Sequence, residues 1–415
     1  MSNHHDNFLD TLPTHWTFDR LKDVVSLRNE KTDESNADED YLELEDMESG
    51  TGRILNRRNT LEVGSAVTLF ERGDVLFGKL RPYLEKYYEA EFDGKCTGEI
   101  LAFKPERIAS RFLFYCLGSR WFIERCNALA YGAKMPRVSW EKQLSQFNIP
   151  LPPPAEQQRI AAYLDASCAA IDAAVSAKRK QLEALEAFRK STLDSEFTKH
   201  KDSPVERVKD VTEKITSGVT PEGGAASYLD AGIPLLRSQN VHFDGLRLDD
   251  VAYISAETHA DMSGSQLRSK DVLLNITGAS IGRCSFVPIG FGEGNVNQHV
   301  CVIRPNHKID YKYLAAFLSS PAGQDQIFST FTGASRQGLS HKELGLIRVP
   351  LPKIQVQRQI VDAIEQRNLR QTTLRRCIEE QIAKLTAYRK SLIHECVTGQ
   401  RRIAEADVQH LKAHG

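Results

Sequence analysis

The sequence repeats itself. Residues 149–193 lie over residues 349–393 at an offset of 200 without a gap: Ile149-Pro150-Leu151-Pro152 over Val349-Pro350-Leu351-Pro352, Gln157 over Gln357, Ile160 over Ile360, Leu164 over Ile364, and Ala187-Phe188-Arg189-Lys190-Ser191 over Ala387-Tyr388-Arg389-Lys390-Ser391. A self-match of this length is duplicated architecture and excludes folds that cannot be built twice in tandem. Each copy opens on a short apolar strand stopped by prolines, which hold themselves and the residues before them extended. A helix is predicted to begin near Ala155 in one copy and near Gln355 in the other.

Within the first copy Leu164, Cys168, Ile171, Val175, Lys178, Leu182, Leu185, Arg189 and Thr192 step by fours and threes, the spacing of a heptad seam. The second copy keeps Ile364, Ile378, Ile382, Leu385 and Leu392 in phase but sets Asn368, Gln371, Arg375 and Arg389 among them. Polar seam residues fix register at some cost in stability. One such helix alone fits an amphipathic core helix equally well. Two, each carried behind a globular segment of similar size, favour mutual pairing. The order is globule, helix, globule, helix. If the copies are equivalent, the first helix leads from one globule to the other and the second leads back, so the pair is expected to run antiparallel. Roughly 40 helical residues at ~1.5 Å each would span about 60 Å.

The duplication reaches beyond the helices. Thr17-Phe18-Asp19-Arg20-Leu21-Lys22-Asp23-Val24 resembles Val205-Glu206-Arg207-Val208-Lys209-Asp210-Val211, and Gly73-Asp74-Val75-Leu76 resembles Lys270-Asp271-Val272-Leu273. Alternating runs at 67–70, 74–77 and 99–103, and at 234–237, 271–276 and 300–303, read as strands of small antiparallel or mixed sheets. Short helices are expected at 112–117 and 311–318, each followed by a Gly-rich loop. The expected fold class is α+β: a pseudo-two-fold tandem repeat of two mixed α/β globules, at 1–148 and 204–348. Spacer helices are expected at 149–203 and 349–400, and a tail at 401–415.

The chain has 415 residues, 41% hydrophobic and 26% charged, which is ordinary globular composition with room for two or three cores. No apolar run is expected to reach membrane-spanning length, and Met-Ser-Asn-His-His-Asp lacks signal-peptide character, so a cytoplasmic protein without a membrane partner is expected. Eight scattered cysteines without a C-x-x-C pair suggest neither a disulfide framework nor a zinc site, and Cys168 on the seam reads as a small buried hydrophobe. No metal site is expected. The net charge of −1 decides nothing by itself. The acidic run 33–48 reads as a solvated loop or strand edge and not as a DNA face.

Catalytic signatures are missing: no G-x-x-x-x-G-K-[ST] loop, no G-x-S-x-G elbow and no H-E-x-x-H helix. Asp93-Gly94-Lys95 has nuclease-like spacing but lacks an upstream acidic partner, and a tight turn explains it better. Polar and basic residues gather in loops instead. Lys79, Arg81, Tyr83 and Lys86 follow a strand, with Lys134 and Arg137 in a Gly-rich loop, where cations can neutralise phosphates and side chains reach base edges. In the second globule Arg237, Gln239 and Asn240 stand in succession; arginine pairs with guanine and amides with adenine. Thr277, Ser280 and Arg283 add hydroxyls and a cation among glycines. Asn297, Gln298, His299, Arg336 and Gln337 complete the set. Taken singly, each fits a turn or a satisfied core polar group as well as a DNA contact, and the 78–86 loop also fits a solvated hairpin. The clustering favours contact.

These features resemble the specificity (S) subunits of type I restriction-modification systems over essentially the whole chain. The resemblance is carried by residues 73–83, by Asn275-Ile276-Thr277-Gly278 with Ile281-Gly282, by Asn297-Gln298-His299, by Arg304-Pro305, and by the helix opening at 149–160. The second opening departs, with Lys353-Ile354-Gln355-Val356 where the first has Pro-Pro-Ala-Glu. The resemblance implies two target-recognition domains, each reading half of a bipartite asymmetric site in double-stranded DNA, with a coiled-coil spacer between them. It implies no catalysis and no cofactor in this chain. The partners would be two methyltransferase subunits, which bind S-adenosylmethionine, and two ATP- and Mg-dependent restriction subunits. The competing reading is a coiled-coil adaptor that joins two partners without reading DNA.

Overall fold

The computed structural model describes residues 12–32, 40–59, 67–200, 202–221, 223–329 and 338–414. The chain divides into two units, Met1–Arg179 with Glu379–Gly415, and Lys180–Ile378. Each holds one α+β globule and one half of each long helix, Pro154–Thr198 and Ile354–Val397.

In the first unit a four-stranded antiparallel sheet runs Val25–Leu27, Ile100–Pro105, Val75–Gly78, Tyr87–Glu89. In the second, the same order is filled by Thr212–Ser217, Val300–Pro305, Val272–Asn275 and Cys284–Phe286. A second sheet beside each, five-stranded in the first unit and three-stranded in the second, contains one parallel pair, Tyr41-Leu42 with Lys95-Cys96 and Leu235-Leu236 with Asn295-Val296. Both globules are closed by an antiparallel pair at their ends, Thr17–Arg20 with Asn148–Leu151 and Val205–Arg207 with Arg348–Pro350. The tandem repeat therefore extends to strand order and direction.

The repeated glutamine has a physical role. Gln157, buried, accepts from Ala109 N (2.7 Å) and donates to Pro152 O (2.9 Å). Gln357 accepts from Asp310 N (2.8 Å) and donates to Pro352 O (2.9 Å) and Lys308 O (3.1 Å). Each amide satisfies backbone groups that burial would otherwise orphan, and so ties the start of a long helix to its own globule.

Within each unit the helix halves pair antiparallel. In the first, Asp172 meets Arg389 (3.2 Å), and Arg159, earlier in the first helix, donates through Nε to Ile403 O (2.7 Å) just past the end of the second, so one helix advances as the other recedes. In the second, Leu193 and Phe197, late in the first helix, share a core with Ile360, Val361 and Ile364, early in the second. Of the seam residues, Leu164, Ile171, Ile364, Ile378 and Leu392 are buried, and Val175, Leu182, Leu185, Ile382 and Leu385 are half-buried. Cys168 is buried as expected, and each fully buried Leu or Ile contributes about 2 kcal/mol over exposure. Asn368 and Arg375 lie exposed.

Some expectations need correction. By length and composition alone, the first long helix, Pro154–Thr198, is long and apolar enough to cross a membrane. It buries Ile160, Ala161, Leu164, Cys168 and Ile171 as seam and core, and Asp165 and Asp172 on it pair with Arg111 and Arg389. The expected tail carries a helix, Glu405–His414, and buries Ile403. The structure adds helix Arg120–Leu129, capped by Ser119 accepting from Phe122 N, and strand Thr212–Ser217, whose polar sequence and bulge mask the alternation.

Candidate nucleic-acid interface

In both units the central strands of the four-stranded sheet deliver their loops to one sheet end. Strand Val75–Gly78 runs into a loop whose Arg81 and Glu85, both at φ 51°, flank the turn Pro82–Leu84. At the matching places of the second unit stand Gly278 at φ 73° and Gly282 at φ 87°. Left-handed backbone costs a non-glycine residue about 1–2 kcal/mol. The first unit accepts that cost twice and in exchange carries a guanidinium at the tip.

This loop is pinned to the Gly-rich loop. Arg81 N donates to Pro136 O (2.6 Å), Val138 N donates to Lys79 O (3.0 Å), and Tyr131 and Arg137 exchange two backbone bonds of 3.0 Å. Lys79, Arg81, Tyr83, Lys134 and Arg137 are thereby brought onto one surface. Arg81, Tyr83 and Lys134 are exposed, Lys79 and Arg137 are half-buried, and Arg137 lies 3.6 Å from Glu99. Tyr131 and Met135, which the sequence did not single out, are exposed on the same loop. Lys86 differs: its ammonium donates inward to Met47 O, and burial lowers its pKa. It is a tether and not a free cation.

In the second unit three sequence clusters converge. Asn275 Nδ2 donates to Ser238 O (2.7 Å) and Ser280 Oγ (3.1 Å), Ile276 N donates to His299 O (3.0 Å), and Thr277 bonds His299 through their side chains. Gln298 bonds His299 at 3.0 Å and accepts from Thr220. Gln239 and Gln298 are exposed, and Arg237, Thr277, Ser280, Arg283 and His299 are half-buried. Asn240 and Asn297 are buried and brace the loops: Asn240 accepts from Arg237 N (2.9 Å) and donates to Arg247 O (2.9 Å), and Asn297 accepts from His299 N (3.1 Å). Arg336 and Gln337 lie outside the described residues, as do residues 33–39 of the acidic run.

The rest of that acidic run occupies an informative place. Its turn Leu44–Asp46 matches Ser238–Asn240: each follows the parallel strand, Asp46 accepts from Glu43 N (2.8 Å) as Asn240 accepts from Arg237 N, and Leu44 abuts Gly78 as Ser238 abuts Asn275. Glu43 and Glu45 therefore stand where the second unit has Arg237 and Gln239. Arg58 gathers Glu43 (3.3 Å), Glu45 and Asp46 (2.8 Å), whereas Asp250 gathers Arg237 and Gln239. Two similar scaffolds present opposite charge at one position.

A family model described as the type I restriction modification DNA specificity domain matches residues 13–184 and again 204–384. The chain belongs to this family. Among curated relatives in the family, the type I restriction enzyme EcoBI specificity subunit of Escherichia coli is 25% identical over 72% of this chain and 67% of its own length. The MjaVIII specificity subunit of Methanocaldococcus jannaschii is 21% identical, covering 94% of both chains. Among solved structures, a chain from work on complex assembly and conformational transition of the type I R-M system superposes with a TM-score of 0.76 at 20% identity, covering 94% of this chain and 99% of that one. The HsdS subunit from Thermoanaerobacter tengcongensis gives 0.52 at 20% identity, covering 94% and 98%. At such identities these structures speak for the fold alone.

Proposed function

We propose that this chain is the DNA-reading subunit of a type I restriction-modification complex, each globule reading one half of a bipartite site. The observation that carries the reading is the duplicated loop end: in each unit, loops rich in cations, amides and hydroxyls meet at the same end of an equivalent sheet. Lysine and arginine there would neutralise phosphates and hold register, while Gln239, Gln298 and Arg237 would meet base edges. The antiparallel helix halves support a spacer that sets the distance between half-sites. The subunit would be non-catalytic. Methylation would come from two methyltransferase subunits holding S-adenosylmethionine, and restriction from two subunits using ATP and Mg, all acting on DNA in the cytoplasm.

The test is methylation mapping of a complex of this chain with its methyltransferase partner. Exchanging residues 204–348 for those of a relative should alter one half-site and leave the other. Alteration of both halves, or methylation without sequence preference, refutes independent readers; the latter result with retained partner binding favours an adaptor.

A further inference from the structure

We propose that Arg389 is a positioning residue through which the second long helix sets the DNA-reading loop of the first domain. This rests on the DNA-reading role above. Arg389 is 7% exposed, and it donates through Nη1 to Gly50 O (3.0 Å) and through Nη2 to Thr51 O (3.3 Å), with Asp172 at 3.2 Å from Nε. The Tyr87 hydroxyl donates to the same Gly50 carbonyl (3.1 Å), and burial raises its pKa, so it stays protonated as a donor. Gly50 N in turn donates to Glu85 O (2.9 Å), and Glu85 is the left-handed residue that closes the loop carrying Arg81 and Tyr83. Lys390, one residue along the helix, holds the Glu85 carboxylate at 2.6 Å. Helix, Gly50-Thr51 and loop are thus joined by directional bonds; those of Arg389 and Tyr87 are part-buried, where water competes poorly, and the exposed Lys390–Glu85 pair adds little.

The second domain is not built this way. The repeat counterpart Arg189 bonds Glu186, one turn earlier on its own helix, at 2.9–3.2 Å. Thr372 stands where Asp172 would be needed, and Cys284 stands at the place of Tyr87. The clamp belongs to the first domain, so a change in the second helix there should be felt at one half-site.

The experiment maps methylated sites of the complex with its methyltransferase partner for Arg389→Ala, Arg389→Lys and Tyr87→Phe. The half-site of the first domain is the half that stays fixed when residues 204–348 are exchanged. Arg389→Ala should lower discrimination in that half by roughly 5- to 150-fold and leave the other half unchanged. Arg389→Lys, which keeps the charge but replaces the planar two-nitrogen fork with a single nitrogen, should restore part of it. Tyr87→Phe, which removes one hydroxyl from a packed ring, should shift the same half in the same direction by less, and it decides the matter if Arg389→Ala does not fold. Equal loss in both halves, or unchanged preference in folded Tyr87→Phe and Arg389→Lys, overturns the proposal. Absence of sequence preference in the unaltered complex overturns the DNA-reading role instead.

Discussion

Gly278→Ala isolates the left-handed corner that both domains share. A Cβ built at Gly278 meets nothing within 4 Å, so the cost is backbone strain and not a clash. At φ 73° an alanine loses about 1–2 kcal/mol, partly offset by about 0.4–1 kcal/mol from the stiffer unfolded chain. The net expectation is destabilisation of about 1 kcal/mol, or roughly 2–4 °C in the melting of a unit of this size. Gly282→Ala should cost more, since φ is 87° and the Cβ would meet Gln324 Oε1 at 2.5 Å, where Gln324 also donates to Gly282 O (2.9 Å). The reciprocal change Arg81→Gly relieves strain at φ 51° and should leave stability unchanged or raise it by up to about 1 kcal/mol. Differential scanning calorimetry of the three variants reads these shifts. A raised melting temperature for Gly278→Ala, or a lowered one for Arg81→Gly, refutes the claim that the two corners are equivalent and strained as described.

Three further outcomes are expected. Arg81→Ala in the complex should reduce the slope of log affinity against log salt by ~0.9, across all DNA sequences alike, as read by fluorescence anisotropy titrations. Gln239→Ala should relax a single base position of the second half-site by about 1–3 kcal/mol, visible as degeneracy there in methylation maps. Glu196 is pushed up by burial, but Lys199 and Arg367 outweigh this and hold its pKa below the usual glutamate range. Its stabilising contribution is therefore complete above the unfolded value near ~4.3 and is lost as pH falls through the folded value. Glu196→Gln should melt lower at neutral pH and show a flatter decline in acid, by thermal melts over a pH series.

The sequence made the architecture plain because it states it twice. Helix starts expected near Ala155 and Gln355 are found at Pro154 and Ile354, since proline and the repeat frame both mark them. The loops were legible as clusters but not as individual roles. Lys86, Asn240 and Asn297 have the residue types of DNA contacts, yet each turns inward, because a polar side chain is equally suited to satisfying buried backbone. Arg81 and Gly278 look unrelated, and only backbone geometry shows them to be equivalent. Charge marks the acidic turn as solvated but does not report its position in the fold. Tyr131 and Met135 carried no pattern that marks exposure.

The measurement closest to the centre of this account is the spacing of the two half-sites after lengthening the helical pair. Four residues inserted into each long helix at facing positions add ~6 Å at ~1.5 Å per residue, against about 3.4 Å per base pair. Mapping methylated DNA for this variant with its methyltransferase partner should return both half-sites unchanged, with one to two more unread base pairs between them, roughly. The original spacing, methylated with undiminished efficiency, would contradict the role of the helices as the spacer.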